Sequence, residues 1–256
     1  MGQFFADVHA SAASQLGNAP CDLADAPEVT ALRSARSYDE LLQLGQALCY
    51  QLRYHDAIEV YSKAIELEPD NILAVRQRAA RYISTLQPEK AIEDFLRCRE
   101  LGGDEMDISY RLGICYYLAE NYSAAMAELT RCFPLCDDEM GIAVIFWNTL
   151  CAWRSGKIPS LLYCSYREDM QVGHHTAYAF AMKLAAERIS HIQALEALGK
   201  QTDDLEYSIM AYGVAEFLDH NGMDSSALRE NLIERDSFWI SYCYIAAWKD
   251  AHGKRD

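Results

Sequence analysis

The same residue types return along this chain at intervals of 34 residues. Alanine occupies three positions separated by that interval, Ala57, Ala91 and Ala125. A bulky apolar residue follows each alanine by four positions: Tyr61, Phe95 and Leu129. A repeat of this length, with small residues at constant places, is typical of antiparallel helix pairs that stack into an α-solenoid. The interval therefore predicts an all-α fold.

Apolar spacing within one repeat fits two successive helices. Leu41, Leu44 and Leu48 are three or four residues apart, as on one face of a helix. Turn residues separate the predicted helices at 53–55, 87–88 and 120–121 within repeats, and at 68–71 and 101–104 between repeats. Proline and glycine stop helices because proline lacks an amide donor and glycine has high backbone freedom.

The repeated positions resemble the tetratricopeptide repeat. The first copy carries Leu44-Gly45, Leu48, Ala57, Tyr61, Ala64 and Pro69, and the third carries Leu112-Gly113, Tyr116 and Ala125. The second departs from the pattern with Arg78-Ala79 and Gly103. The resemblance implies three repeats, 38–71, 72–105 and 106–139, in a right-handed superhelical α-solenoid.

The flanking segments lie outside the clear repeats. Residues 1–37 are predicted to be an N-terminal extension, either a tail or capping helices, with short helices near 4–16 and 28–37. Residues 140–256 are predicted to be a degenerate, repeat-like helical region that ends in a capping helix. The predicted helices there cover 140–154, 178–198 as one helix or two around Ser190, 205–220, 225–235 and 237–249.

The net charge of −15 constrains the partners. Nucleic acids and anionic membranes attract basic surfaces, so neither is predicted as a partner. The acidity either supports solubility or attracts a basic segment of a partner. No apolar run approaches the roughly 20 residues that span a bilayer, and the start lacks a signal-peptide pattern. A cytoplasmic location is therefore predicted.

Nine cysteines are present, and several stand where small core residues are expected. Cys98 and Cys132 take the place that Ala64 has in the first repeat. Buried thiols of this kind are typical of a reducing compartment. Cys132 and Cys136 have the spacing of metal ligands, but no second pair accompanies them, whereas structural zinc needs four ligands. No metal and no cofactor are predicted.

Catalytic motifs are not recognisable in the sequence, so the chain is not predicted to be an enzyme. His174 and His175 are adjacent, and neighbouring residues on a helix point about 100° apart, which disfavours a shared metal. We expect them to precede a helix. An enzyme or metal site in the divergent C-terminal half, around these residues or His191, stays an alternative.

The resemblance implies a concave groove lined by the first helix of each repeat. The candidate peptide-binding residues at these positions are Gln46, Tyr50, Arg76, Gln77, Tyr110, Arg111, Ile114, Tyr117 and Asn148. Some relatives clamp a carboxylate of a chaperone tail at five of the groove positions. Here those positions hold Leu42, Gln46, Gln77, Asp107 and Arg111, so such a tail is not the expected ligand. Arg76 and Arg111 are expected either to meet one acidic group or only to solvate the helices.

These observations predict a non-catalytic scaffold or adaptor that binds a peptide or helix of another protein in the groove. The nearest alternative is an assembly or secretion chaperone for an apolar client segment. The identity of the partner and the oligomeric state do not follow from the residues.

Overall fold

A computed structural model describes Leu16 and residues 24–253. These residues form helices and connecting turns, with no strand among them. The all-α class predicted from the repeat interval is confirmed. The chain divides after Ile108 into two compact units. The predicted end of the repeats at residue 139 stays a prediction.

Helix pairs build the first unit, as the 34-residue interval predicts. Each helix packs against the next, α2 on α3, α3 on α4 and α4 on α5. The helices are α1 (Pro27–Ala31), α2 (Tyr38–Tyr50), α3 (Tyr54–Leu67), α4 (Ile72–Ser84) and α5 (Pro88–Glu100), and α6 (Glu105–Leu118) contains the division between the units.

The turn inside each repeat has the same backbone geometry three times. Leu52, Leu86 and Glu120 lie 34 residues apart and have φ angles of 57°, 52° and 59°. Directly after each, the next amide donates to a carbonyl five residues earlier, as Gln87 does to Tyr82 at 2.9 Å. This bond satisfies a carbonyl that the end of a helix leaves open. The 34-residue repeat in the sequence is thus matched by a 34-residue repeat in backbone conformation.

Close packing of the two helices in the first repeat depends on Gly45. A Cβ at this position would lie 2.3 Å from the nearest ring atom of Tyr61. Ala57 and Tyr61 are buried in the same apolar cluster, together with Leu44 and Leu48. The small residues in the repeat pattern therefore stand where the helices approach most closely.

The segment before the first repeat covers one end of it. Arg53 donates to Asp25 at 2.6 Å, and Val29 of α1 is buried in the first-repeat cluster. The helix predicted at 28–37 is too long, because α1 ends at Ala31 and the chain turns so that Ser37 caps α2. The Ser37 hydroxyl accepts from the Glu40 amide, and the Glu40 carboxylate accepts from the Ser37 amide. The helix predicted near 4–16 falls outside the described residues, apart from Leu16.

Eight helices follow α6 within the described part of the second unit. They are α7 (Tyr122–Cys132), α8 (Asp138–Arg154), α9 (Ser160–Ser165), α10 (Thr176–Ala185), α11 (His191–Leu198), α12 (Asp204–His220), α13 (Ser226–Glu234) and α14 (Tyr242–His252). Ser190 caps α11, so the predicted 178–198 stretch is two helices. The sequence did not predict α9. The helix predicted at 237–249 begins later, at Tyr242, because a 3₁₀ turn at Asp236–Phe238 precedes the buried Trp239.

Two buried helices organise the second unit. Every residue of α8 from 141 to 152 is buried. Helix α12 packs against α8, α10, α11, α13 and α14. Through the described residues, no helix combines the length and the apolar character that crossing a membrane requires.

Candidate functional site

The first helices of neighbouring repeats lie side by side in the first unit. Near their N-terminal ends, the Ala74 amide of α4 donates to the Tyr38 hydroxyl of α2 at 3.2 Å. Near their other ends, burial raises the pKa of the Cys49 thiol on α2, while the Arg81 guanidinium on α4 opposes that rise. Contacts at both ends mean that α2 and α4 run in the same direction.

Four accessible side chains of α2 and α4 stand at positions that the repeat pattern assigns to the groove. Gln46 is exposed and Tyr50, one turn further along α2, is 66% exposed. On α4, Leu73 is 54% exposed and stands one turn before the half-buried Gln77. We call these four residues the first-unit groove face. Leu73 was missed among the sequence candidates, although it takes the second position of its helix, one of the positions that line the groove in this family.

Arg76 also belongs to α4 but is already engaged. Its Nε donates to Asp107 at 2.8 Å, and 38% of its side chain is exposed. A guanidinium held by a carboxylate has less charge to offer a second acid. An acidic group of a partner would therefore have to compete with Asp107 for Arg76.

The candidate groove residues of the second unit are placed differently. The Arg111 guanidinium donates to the Tyr242 hydroxyl of α14 at 2.7 Å. The Tyr117 and Tyr212 hydroxyls are 2.8 Å apart, which joins α6 to α12. The chain's own C-terminal helices thus cover part of the face that the repeat pattern assigns to a partner. Tyr110 is half-buried, and desolvation raises the pKa of its hydroxyl.

Three of these candidates were predicted to lie on the groove surface, and that prediction is wrong. Ile114, Tyr117 and Asn148 are buried in the second unit. The Tyr117 ring packs edge-on against Trp147 with centroids 5.1 Å apart, and burial raises the pKa of its hydroxyl. The repeat pattern assigned them to an open groove, but it carries no information on helices added after the repeats.

A polar cleft of about 740 Å³ lies between α12, α13 and α14. Two guanidiniums and two carboxylates form an ionic network along it. Arg154 donates to Glu216 at 2.7 Å and to Asp250 at 2.6 Å. Arg229 donates to Glu216 at 2.6 Å and to Asp250 at 3.1 Å. The Tyr212 hydroxyl adds a bond to Asp250 at 3.1 Å. No sequence motif marks this cluster, because its members are up to 96 residues apart.

The charge of the cleft is mainly negative. Its lining includes six carboxylates against three cationic side chains, with histidine counted as neutral: Glu120, Asp219, Asp224, Glu230, Glu234 and Asp250, with Arg154, Arg229 and Lys249. Because the network carboxylates already hold both guanidiniums, the lining is better suited to cationic than to anionic groups.

The histidine and cysteine candidates form no metal centre in the described part of the chain, where no group of three or more possible ligands is found. His174 and His175 directly precede α10, as expected. The His175 Nδ1 lies 2.5 Å from the carbonyl oxygen of Glu139, so this ring bonds to backbone. Burial raises the pKa of Cys98 to about 11, as for an inert core thiol.

Comparison with known proteins identifies the class of repeat. A family model described as "Tetratricopeptide repeat" matches residues 38–71. Residues 38–71 therefore carry a tetratricopeptide repeat, which confirms the resemblance drawn from Gly45, Ala57 and Tyr61.

The relatives share only part of this chain. Tetratricopeptide repeat protein 28 of Mus musculus is 29% identical over 101 residues, 40% of this chain and 4% of that protein. Tetratricopeptide repeat protein 36 of Caenorhabditis elegans is 39% identical over 69 residues, 26% of this chain and 38% of that protein. This chain thus spans a small fraction of the mouse relative. A solved structure described as "Crystal structure of YrrB: a TPR protein with an unusual peptide-binding site" has 14% identity and a TM-score of 0.47, covering 89% of this chain and 99% of that one.

Proposed function

We propose that this chain is a non-catalytic cytoplasmic scaffold that binds an extended peptide segment of another protein on the first-unit groove face. The observation that carries the proposal is the set of accessible side chains on the parallel helices α2 and α4. Repeat proteins of this kind offer extended binding surfaces because each repeat presents the same face as its neighbour.

The chemistry of the face supports an extended, mostly uncharged ligand. The amides of Gln46 and Gln77 can each donate to and accept from a peptide backbone. Tyr50 and Leu73 offer apolar area beside them, and tyrosine is enriched at binding hot spots. Arg76 is neutralised by Asp107, so the face has no strong preference for a charged side chain.

Peptide selection on the purified full chain tests the proposal. We expect a displayed random-peptide library to yield binders, and Tyr50→Ala to weaken the best of them by roughly tenfold or more in fluorescence anisotropy, as for a hot-spot tyrosine. The matched control is Tyr163→Ala on α9, because Tyr163 is 68% exposed and lies in the second unit. Equal affinity of both variants for the selected peptides would rule out this face.

Combined replacement of Gln46 and Gln77 by alanine separates two versions of the proposal. For a scaffold that hydrogen-bonds to the backbone of an extended peptide, we expect the double variant to lose affinity for every selected peptide. For the chaperone alternative, we expect apolar peptides of many sequences to bind, with Leu73→Ser causing the larger loss. Unchanged binding in both variants would contradict both versions.

A further inference from the structure

Two cysteine side chains meet at the C-terminal end of α7. The Sγ atoms of Cys132 and Cys136 are 3.6 Å apart, and the Cys136 thiol donates to the Cys132 carbonyl oxygen at 3.3 Å. The intervening residues Phe133–Leu135 form a single 3₁₀ turn, which brings the second thiol back over the first. Both side chains are thiols in this structure.

The two thiols differ in access and in acidity. Cys132 is fully buried, whereas Cys136 is half-buried and can be reached from solvent. The hydrogen bond from the Cys132 thiol lowers the pKa of Cys136, while desolvation and the nearby Asp137 act in the opposite direction. Because the thiolate is the reactive form, Cys136 is the thiol that should react first with an oxidant. Cys132 is then placed to react second.

We propose that Cys132 and Cys136 form a reversible dithiol–disulfide site that responds to hydrogen peroxide. The Cys136 thiolate attacks one peroxide oxygen, which breaks the O–O bond, releases hydroxide and leaves a sulfenic acid on Cys136. The Cys132 sulfur then attacks the Cys136 sulfur and forms the S–S bond. The hydroxyl group leaves and, with the Cys132 proton, departs as water. The two sulfurs together lose two electrons to the peroxide. A dithiol reductant reverses the change by thiol–disulfide exchange.

The residues of this site are not among the proposed peptide-binding residues. Its residues lie in the second unit, at the turn between α7 and α8, and not on the first-unit groove face. Closing the short ring would restrict the turn that leads into the buried helix α8.

Mass spectrometry of the full chain after peroxide treatment tests the site. Trypsin can release both cysteines, together with Cys151, on one peptide, 132–154, because Arg131 precedes it, Arg154 ends it and no lysine or arginine lies between them. We expect this peptide to lose two hydrogen atoms, with fragment ions that place the bond between Cys132 and Cys136, and to regain them with dithiothreitol. The control Cys164→Ser removes an exposed cysteine and should leave the disulfide unchanged.

Single replacements define the order of reaction. In Cys132→Ser, Cys136 should accumulate as a sulfenic acid that dimedone traps, whereas in Cys136→Ser, Cys132 should give no such adduct. Phenylarsine oxide, which needs two neighbouring thiols, should label wild type and lose this labelling in either variant. The proposal is overturned if Cys136 oxidises beyond the sulfenic acid with no disulfide to Cys132, or if Cys132→Ser retains the arsenical at this position.

Discussion

Replacing Glu216 with alanine is expected to lower the free energy of unfolding by about 3–5 kcal/mol, the usual cost of removing one partner from a buried ion pair. Glu216 is 3% exposed and accepts hydrogen bonds from both Arg154 and Arg229. Its removal leaves two cationic groups in the cleft with only Asp250 and Asp219 to hold them.

Urea unfolding followed by circular dichroism measures this effect. Glu230→Ala is the matched control, because Glu230 is an exposed glutamate lining the same cleft. We expect the control to stay within about 0.5 kcal/mol of wild type, as for most surface substitutions. If the two variants unfold at the same urea concentration, the network contributes nothing measurable to stability.

The second large effect concerns Gly45. Replacing a helical glycine with alanine normally stabilises a protein by up to about 1 kcal/mol through helix propensity. For Gly45→Ala we expect the opposite sign, a loss of about 1–3 kcal/mol from overpacking. The new methyl group would lie 2.3 Å from a ring carbon of Tyr61, whose side chain is buried.

Gly141→Ala provides the comparison within the same chain. Gly141 is also buried in a helix, but a Cβ there would be 3.5 Å from Phe133 and 3.6 Å from Met170, ordinary contact distances. We expect this variant to be as stable as wild type or more stable in thermal unfolding. A higher melting temperature for Gly45→Ala than for Gly141→Ala would show that close helix approach at Gly45 is not required.

The repeat residues made much of the first unit predictable. Gly45, Ala57 and Tyr61 form a local contact between two consecutive helices, and the turn after α2 follows from residues next to it in the chain. Such interactions join residues that are close in the sequence, so a sequence pattern can predict them. The exposure of the groove candidates Gln46 and Tyr50 could also be predicted, because helical spacing sets the face on which a residue stands.

The burial of groove candidates in the second unit could not be predicted from the repeat pattern. Ile114, Tyr117 and Asn148 keep their places in the repeat pattern but are buried. The Tyr117–Tyr212 contact spans 95 residues and the Arg154–Glu216 contact spans 62. No local propensity encodes either contact.

By itself, then, the 34-residue interval determined the helical class and the close packing around Gly45, because these depend on neighbours within one or two helices. The tertiary structure alone decided which groove candidates are accessible, that α12 and α14 contact candidates in the second unit, and that four distant charged residues form one ionic network. The physical reason is that burial and ion pairing depend on which helices meet, and that is settled by packing of the whole unit.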